Sequence, residues 1–242
     1  MDQYTVMAMH DLHVPYHDKR AFEVALDFAV KIKPNELVCH EWFDWYQISK
    51  FSRDPARLNK LQRDLDECKE YIGETKRRLK NTKLVFLKSN HDARLQKYLW
   101  THAKELSSLR ELRVEHLLGL EDMGIPYKDN HTCRGVLWKH GDIVRKHSSY
   151  TSKGEFEREG MNGASGHTHR LGMYFVTLRG GKYVWIEGGC LCNLNPEWME
   201  GIANWQHGVS VFTFKGNTRH FHPAVHPIID YEVIYGGKAV GS

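Results

Sequence analysis

Short runs of apolar, β-branched and aromatic residues recur along the chain, and most of them end just before a cluster of polar residues. Runs of this kind are typical of buried β-strands. They predict six strands, at about residues 4–9, 36–39, 83–87, 135–138, 171–178 and 183–187. Because open α/β folds place their chemistry beyond the ends of their strands, we expect the polar residues that follow to converge.

Helical periodicity is clearest between the second and third predicted strands. A helix is expected from about residue 55 to 80, with Asp54 as its cap and Pro55 in its first turn. The apolar positions, with two sites in every seven residues, are Leu58, Leu61, Leu65, Cys68, Ile72 and Leu79. This stripe indicates packing on the helix's own domain, or else a helical-pair homodimer or a cap over the active site. A second helical stretch at about 93–120 completes a predicted helical insertion at about 52–120.

Residue types that bind divalent metal ions return at five separate points of the chain. They are Asp11 and His13, Glu41 and Asp44, Asn90 with His91 and Asp92, His140 with Asp142, and His167 with His169. Carboxylates, one amide and several imidazoles are the ligands that two neighbouring divalent cations need. A lone Asp-x-His or His-x-His is common by chance, so the order of the motifs and their positions after strands carry the inference.

In this order the motifs resemble those of the calcineurin-like metallophosphoesterases. The pattern of that family runs Asp-x-His, Gly-Asp-x-x-Asp, Gly-Asn-His-Asp/Glu, a His, and Gly-His-x-His, and the resemblance spans residues 11–169. It implies an α/β fold, namely the four-layer α/β/β/α sandwich of the family. The strands predicted beyond residue 169 would belong to the second half of that fold.

The resemblance also implies two divalent metal ions, of Mn, Fe, Zn or Mg, held by seven side chains. One ion would be bound by Asp11, His13 and His169, the other by Asn90, His140 and His167, and Glu41 would bridge both. Two cations about 3.5–4 Å apart polarise a phosphoryl group and lower the pKa of a bridging water, so that hydroxide forms near neutral pH.

Other residues of the motifs are expected to act on the substrate or on the ligands. By resemblance, His91 beside its partner Asp92 would protonate the leaving oxygen or stabilise the phosphoryl charge. Asp44 would orient a ligand or a nearby basic residue. Arg94 is a candidate for contact with the substrate phosphate, although an exposed helix cation is the commoner fate of such an Arg.

The chain departs from the family pattern at the ends of the first two strands. His10 replaces a small residue, His40 replaces Gly, and Glu41 replaces Asp. Three interpretations are open. In the first, His10 and His40 line the pocket while Glu41 still bridges; in the second, one of these histidines is an extra ligand that favours a transition metal over magnesium. In the third, the altered centre binds without turnover.

Composition fits a single domain, residues 1–242, with 41% hydrophobic residues and no linker-like tract. The net charge of +4 permits a nucleic-acid partner but does not argue for one. The five cysteines show no regular spacing, and the N-terminus shows no basic and apolar leader, so we expect a cytoplasmic protein. Because no run of about 18 apolar residues occurs, we expect no membrane association. Cys190 and Cys192 are expected to pack rather than to bind metal, and residues 236–242 to form a loose tail.

The expected function is therefore metal-dependent hydrolysis of a phosphodiester or phosphomonoester by metal-activated hydroxide. The partner would be a phosphorylated substrate, with a nucleotide, a nucleic acid and a phosphoprotein all open, because the pocket walls choose among them. Two alternatives remain at this stage. One is a non-catalytic, metal-stabilised binding protein derived from such an enzyme, and the other is a nuclease on DNA or RNA, which needs an extended basic track.

Overall fold

The computed structural model describes residues 3–50, 54–57, 60–196 and 201–241, and these form a mixed α/β protein. The helices are α1 Lys19–Ile32, α2 Leu61–Arg78, α3 Asp92–His102, α4 Val114–Leu117 and α5 Tyr150–Glu159. The strands are β1 Gln3–Met9, β2 Glu36–His40, β3 Lys83–Leu87, β4 Tyr127–Lys128, β5 Asn130–Cys133, β6 Val136–Lys139, β7 Asn162–Ser165, β8 Leu171–Leu178, β9 Gly181–Gly188, β10 Gly208–Lys215, β11 Phe221–Pro227, β12 Val233–Tyr235 and β13 Lys238–Val240. Each of the six predicted strands is present.

Two sheets contain most of these strands. The first has the order β11-β10-β1-β2-β3-β4, in which the strands from β1 to β4 run parallel and β10 is antiparallel to both of its neighbours. The second has the order β5-β6-β7-β9-β8, in which β6, β7 and β9 run parallel. The parallel core of each sheet brings the loops after successive strands to one edge.

The two sheets pack against each other through alternate residues of their strands. Val6 and Ala8 of β1 belong to a buried cluster that also contains Trp138 of β6 and Ile186 of β9. The Trp138 ring lies 5.3 Å from the ring of Phe212, which β10 contributes from the first sheet. Side chains at every second position of a strand share one face, so these residues form the interface between the sheets.

Helices cover the outer faces. Met7 and Met9, on the opposite face of β1, join a second buried cluster with Phe22 of α1 and Ile72 of α2. On the other side, Phe156 of α5 packs with Leu137 and Trp185 of the second sheet. The sequence analysis did not predict α1, which begins where the Asp18 carboxylate accepts hydrogen bonds from the amides of Arg20 and Ala21.

The helix predicted from residue 55 begins later than expected. Residues Pro55–Arg57 form a 3-10 turn, Asp54 accepts a hydrogen bond from the Ala56 amide, and α2 starts at Leu61. Leu58 lies outside the described residues. The described stripe is buried in the chain's own core, at Leu65, Cys68, Ile72 and Leu79, with Leu61 partly buried beside it. Packing within the domain is therefore confirmed, and the stripe is not available for a homodimer or for a cap.

The second predicted helix is not continuous. After α3 the chain makes two 3-10 turns, Lys104–Ser108 and Arg110–Leu112, before the short α4. Because β3 lies inside the stretch 52–120, the two helical parts are separate connections between strands of one sheet and not a single insertion. The apolar residues of this stretch favoured a continuous helix. Leu106 and Leu109 are exposed, however, and a helix that buries no apolar face gains little stability from packing.

The predicted loose tail is also wrong, because β12 and β13 pair as an antiparallel hairpin with Gly236 and Gly237 at its turn. Among the described residues, no helix has the length and apolarity that crossing a membrane requires.

A buried ion-pair network joins the two sheets at the edge opposite the ligand-bearing loops. Glu36, the first residue of β2, accepts hydrogen bonds of 2.6 Å from Tyr4 Oη and from His131 Nε2, and Lys83 Nζ lies 3.4 Å away. His131 belongs to β5 of the second sheet. Burial opposes ionisation of Glu36, but the hydrogen bonds from His131 and Tyr4 outweigh it and lower the pKa of this carboxyl to about 2.

We expect Glu36→Gln to lower the free energy of unfolding by about 1–3 kcal/mol at neutral pH, because it removes the charge that His131 and Tyr4 contact. The carboxylate's contribution is complete above its ordinary pKa of 4.5 and is lost as the pH falls toward 2. Urea unfolding should therefore show the largest difference from the wild type at neutral pH. Glu74→Gln, at an exposed ion pair with Arg77, is the control. A difference that stays constant into acid would contradict this role.

Candidate metal centre

The predicted ligands lie on five loops that follow β1, β2, β3, β6 and β7. Five of them have a left-handed backbone although none is glycine: Asp11 (φ 50°), His13 (φ 56°), Glu41 (φ 46°), His167 (φ 71°) and His169 (φ 59°). Such residues are uncommon and cluster at functional sites, where the surrounding structure holds the strain. The strand ends thus turn sharply, and the turns aim these side chains at one another.

The first half of the centre consists of Asp11, His13, Glu41 and His169, whose ligand atoms lie within 4.8 Å of one another. His13 Nε2 is 3.1 Å from His169 Nε2 and 3.2 Å from Glu41 Oε2. On the far side of its ring, His13 Nδ1 lies at hydrogen-bond distance, 2.9 Å, from Asp44 Oδ2. When Nδ1–H donates a hydrogen bond to Asp44, the Nε2 lone pair is left to bind a cation, which is the usual arrangement of a metal-ligating histidine.

The second half is arranged around His140. Its Nε2 atom lies 2.6 Å from Asn90 Oδ1, 3.2 Å from His167 Nδ1 and 3.4 Å from Glu41 Oε2. Glu41 Oε2 is therefore close to both His13 and His140, between the two sets of donors. The structure thus brings together all seven of the predicted ligands.

The electrostatics of the site fit a bound cation. Asp11 is fully buried, and its Oδ1 atom has no hydrogen-bond partner among the residues that the structure describes. Burial and the nearby Glu41 raise the pKa of Asp11 well above its usual range. Burial also opposes ionisation of Glu41, but the charges of His140, His91 and His13 hold the pKa of Glu41 well below its usual range. Two buried carboxyl groups facing several imidazoles form a donor set that suits zinc, iron or manganese.

Asp11 also depends on a glycine in the last motif. Its Oδ2 atom accepts a 2.9 Å hydrogen bond from the backbone amide of His167. A Cβ atom at Gly166 would lie 2.4 Å from this oxygen, so only glycine permits the approach.

Asp44 organises the basic side chains at the mouth of the site. Its Oδ1 atom and its backbone carbonyl accept hydrogen bonds from Arg94, at 3.1 and 2.8 Å. His91 Nδ1 lies 3.2 Å from Asp44 Oδ2, while Arg94 donates to His91 Nε2 at 2.5 Å. Burial opposes ionisation of Asp44, but His13 and His91 lower the pKa of this carboxyl below its usual range. The carboxylate partner of His91 is thus Asp44.

Asp92 has a different position from the one expected. It accepts hydrogen bonds from Trp45 Nε1 at 3.1 Å, from Tyr127 Oη at 2.9 Å and from the Ser89 amide at 3.0 Å. Burial raises the pKa of Asp92 to about 6. This carboxyl anchors the start of α3 to the core, and it does not pair with the His91 imidazole.

His10 and His40 neither line the cleft nor belong to any group of potential metal ligands among the described residues. Their rings lie 4.4 Å apart, fully buried, and His10 Nε2 is 2.9 Å from Ser210 Oγ, while His40 makes no side-chain hydrogen bond. Burial and the nearby His140 lower the pKa of His10 to about 3, and burial with the neighbouring His10 lowers that of His40. Both are neutral core residues, so the expectations of a pocket lining and of an extra ligand are corrected.

Space for the His10 ring is provided by Gly188 at the end of β9. A Cβ atom at that position would lie 1.9 Å from His10 Nε2. The large side chain at position 10 thus fits between the sheets because the facing sheet has a glycine opposite it.

An open cleft of about 560 Å³ leads to the ligands. Its walls include Tyr16, Tyr46 and Trp205, and the Trp205 ring lies 4.4 Å from that of His169. Sequence analysis did not identify Tyr16 or Trp205, which lie outside the motifs. Of the aromatic residues that follow Glu41, Tyr46 lines the cleft, whereas Trp42, Phe43 and Trp45 are buried in the core.

Cys190 and Cys192 are buried beside the first half of the centre and form a potential soft-metal group with His169. Cys192 Sγ lies 3.6 Å from His169 Nδ1, on the opposite side of the ring from His13. Burial raises the pKa of the Cys192 thiol well above its usual range, so it remains a neutral contact that orients His169.

No protein-family model matches the sequence, and no curated protein matches it. Among solved structures, a single mutant of Vps29 from Entamoeba histolytica is 12% identical, with a TM-score of 0.48 over 95% of this chain and 96% of that one. Vps29 from Chaetomium thermophilum is 10% identical, with a TM-score of 0.39 over 93% and 97%. A Thermotoga maritima protein is 8% identical, with a TM-score of 0.38 over 93% and 99%.

We expect Gly188→Ala to lower the free energy of unfolding by about 1–3 kcal/mol, because the new methyl group overlaps the His10 ring. The double variant His10→Ala with Gly188→Ala should be more stable than Gly188→Ala alone, since removal of the ring makes room for the methyl group. Chemical unfolding of the wild type, of each single variant and of the double variant measures this coupling. Gly73→Ala, a helical glycine with no atom within 4 Å of the added Cβ, is the control. Additive effects would refute the contact.

Proposed function

We propose that this chain is a metal-dependent phosphoesterase with the α/β/β/α sandwich of the calcineurin-like metallophosphoesterases. The packed sheets with helices outside them support that fold. The observation that carries the function is the position of Glu41 Oε2, which lies 3.2 Å from His13 Nε2 and 3.4 Å from His140 Nε2. A carboxylate oxygen shared by two sets of donors is the arrangement that a bridging ligand needs.

In this proposal the seven side chains hold two divalent ions. Asp11, His13 and His169 would hold one ion and Asn90, His140 and His167 the other, with the Glu41 carboxylate between the two sets. When bound, such a pair polarises a phosphoryl group and supplies a nucleophile near neutral pH. Asp44 accepts a hydrogen bond from His13 Nδ1–H and so keeps the Nε2 lone pair of His13 directed into the site. Cys192 contacts the opposite side of the His169 ring and fixes its orientation.

His91 and Arg94 stabilise the phosphoryl charge at the mouth of the cleft. In this structure His91 Nε2 accepts a hydrogen bond from Arg94, so its proton lies on Nδ1 beside Asp44. Donation from Nε2 to a leaving oxygen would require the Arg94 guanidinium to turn toward the substrate first. Both residues line the cleft, and the aromatic rings of Tyr16, Tyr46 and Trp205 favour a substrate that carries a flat group.

A second candidate is a non-catalytic binding protein stabilised by metal. The contact between Arg94 and His91 favours it, because it occupies the nitrogen that a general acid would use. The residues that depart from the family pattern agree with either function. His10 and His40 pack in the core, and Glu41 still lies between His13 and His140.

Metal analysis combined with turnover distinguishes these functions. The purified protein should contain two ions and hydrolyse a chromogenic phosphodiester with at least one of Mn²⁺, Mg²⁺, Zn²⁺ and Fe²⁺. We expect His91→Ala to lower kcat by about 10²- to 10⁴-fold with an unchanged metal content. His116→Ala, at a partly exposed histidine, should leave both unchanged. If no metal supports hydrolysis although metals raise the melting temperature, the binding function is correct.

The bridging position offers a further test. We expect Glu41→Asp to weaken metal binding and activity, because the shorter side chain withdraws the oxygen from between His13 and His140. Glu41→Gln, which keeps the length but removes the charge, should also lose ions. Metal content and kcat/KM measure both effects. A large gain in rate with Asp, alone or together with His40→Gly, would show that the altered residues are a defect of the site.

A further inference from the structure

A second cleft, of about 590 Å³, adjoins the metal cleft. The two clefts share Ser49, Asn90 and Arg94, so they meet directly beside the proposed ligands. The other residues that line the second cleft have no role in the proposed metal site.

One face of α3 forms much of its wall. Arg94, Lys97, Tyr98 and Thr101 all line it, and their spacing of three, four and seven residues places them on one side of a helix. From the first to the last of them the helix advances about 10 Å, the length of two or three stacked nucleotides at about 3.4 Å each. The wall thus extends away from the candidate metal centre far enough to contact more than one nucleotide.

The chemistry of this wall suits a polyanion. Of the described residues, those that line the second cleft include Lys50, Arg94, Lys97 and His102 but no carboxylate. Arg94 is held by Asp44, whereas the ammonium group of Lys97 has no ion pair with any described residue. Because a Lys side chain in a cleft without acids attracts phosphate, Lys97 is the cation that a substrate would reach.

The same wall contains a ring that is available for stacking. The side chain of Tyr98 is 41% exposed, and its ring lies 4.6 Å from that of His102. Alternation of cations with exposed aromatic rings along a groove is typical of proteins that bind single-stranded nucleic acid, in which unpaired bases stack on the rings.

We propose that the second cleft binds a single-stranded oligonucleotide adjacent to its scissile phosphate, with Lys97 contacting a backbone phosphate and Tyr98 stacking on a base. This rests on the proposed phosphoesterase function and names its substrate class. A duplex does not meet the same requirement, because its bases are already stacked and paired.

Binding tests the proposal without requiring turnover. The probe is a fluorescent oligothymidylate of about six nucleotides, comparable with the site size of small single-strand-binding folds. Fluorescence anisotropy at several salt concentrations gives its affinity, and the probe is checked for integrity afterwards. We expect Lys97→Ala to reduce the magnitude of the salt slope by about 0.7, as the loss of one phosphate contact requires. Tyr98→Ala should weaken binding by about fivefold or more at a single salt concentration.

The matched controls lie on the same segment but outside the cleft. Lys104→Ala removes an exposed lysine just beyond α3, and Trp100→Ala removes a 53% exposed aromatic ring of α3 itself. Neither should change the affinity. The proposal is overturned if Lys97→Ala and Tyr98→Ala have no more effect than these controls. It is also overturned if inorganic tripolyphosphate binds as tightly as the oligonucleotide and responds to Lys97→Ala alone.

Hydrolysis provides a second arm. With the chromogenic diester, which is too short to reach the second cleft, both variants should retain kcat/KM within about twofold, whereas kcat/KM for the oligonucleotide should fall about tenfold. Equal losses on both substrates would overturn the inference. If neither substrate is hydrolysed by the wild type, the proposed function fails, and the anisotropy measurements still decide whether the cleft binds a strand.

Discussion

The site depends on keeping the Glu41 carboxylate charged although its side chain, which lines the cleft, is almost wholly buried. A buried carboxylate is costly unless cations or hydrogen-bond donors surround it. Here His13 and His140 approach the same oxygen from two sides, and the His91 amide donates a 3.1 Å hydrogen bond to the other oxygen. Asp11 adds a second buried carboxyl, and burial and the neighbouring Glu41 raise the pKa of Asp11 well above its usual range.

This requirement accounts for the backbone around the site. Left-handed conformations at non-glycine residues cost free energy, yet five ligands adopt them at the ends of parallel strands. The sheets provide the rigidity that holds such turns, because the strands behind them are buried on both faces. Asp44 then connects the ligands to the substrate side, since one carboxylate contacts His13, His91 and Arg94.

His10 and His40 take part in the packing between the sheets. His10 and His40 occupy alternate-face positions continuous with Ala8 and Val38, which belong to the core between the sheets. Both rings are therefore directed away from the cleft, and Gly188 accommodates one of them. The two histidines that precede Asp11 and Glu41 thus pack beneath the candidate centre and do not line the cleft.

Local hydrophobic pattern and residue chemistry were enough to predict the six strands and to place the candidate metal-binding residues at strand ends. Features that need contacts between distant residues could not be predicted in this way. Asp44 replaces Asp92 as the partner of His91, Tyr16 and Trp205 enter the cleft, and α1 was not predicted at all. Local sequence also does not encode the directions of the His10 and His40 rings, the contact of Gly188 with His10, or the meeting of the two clefts along α3. These features arise only when separate strands and helices pack together.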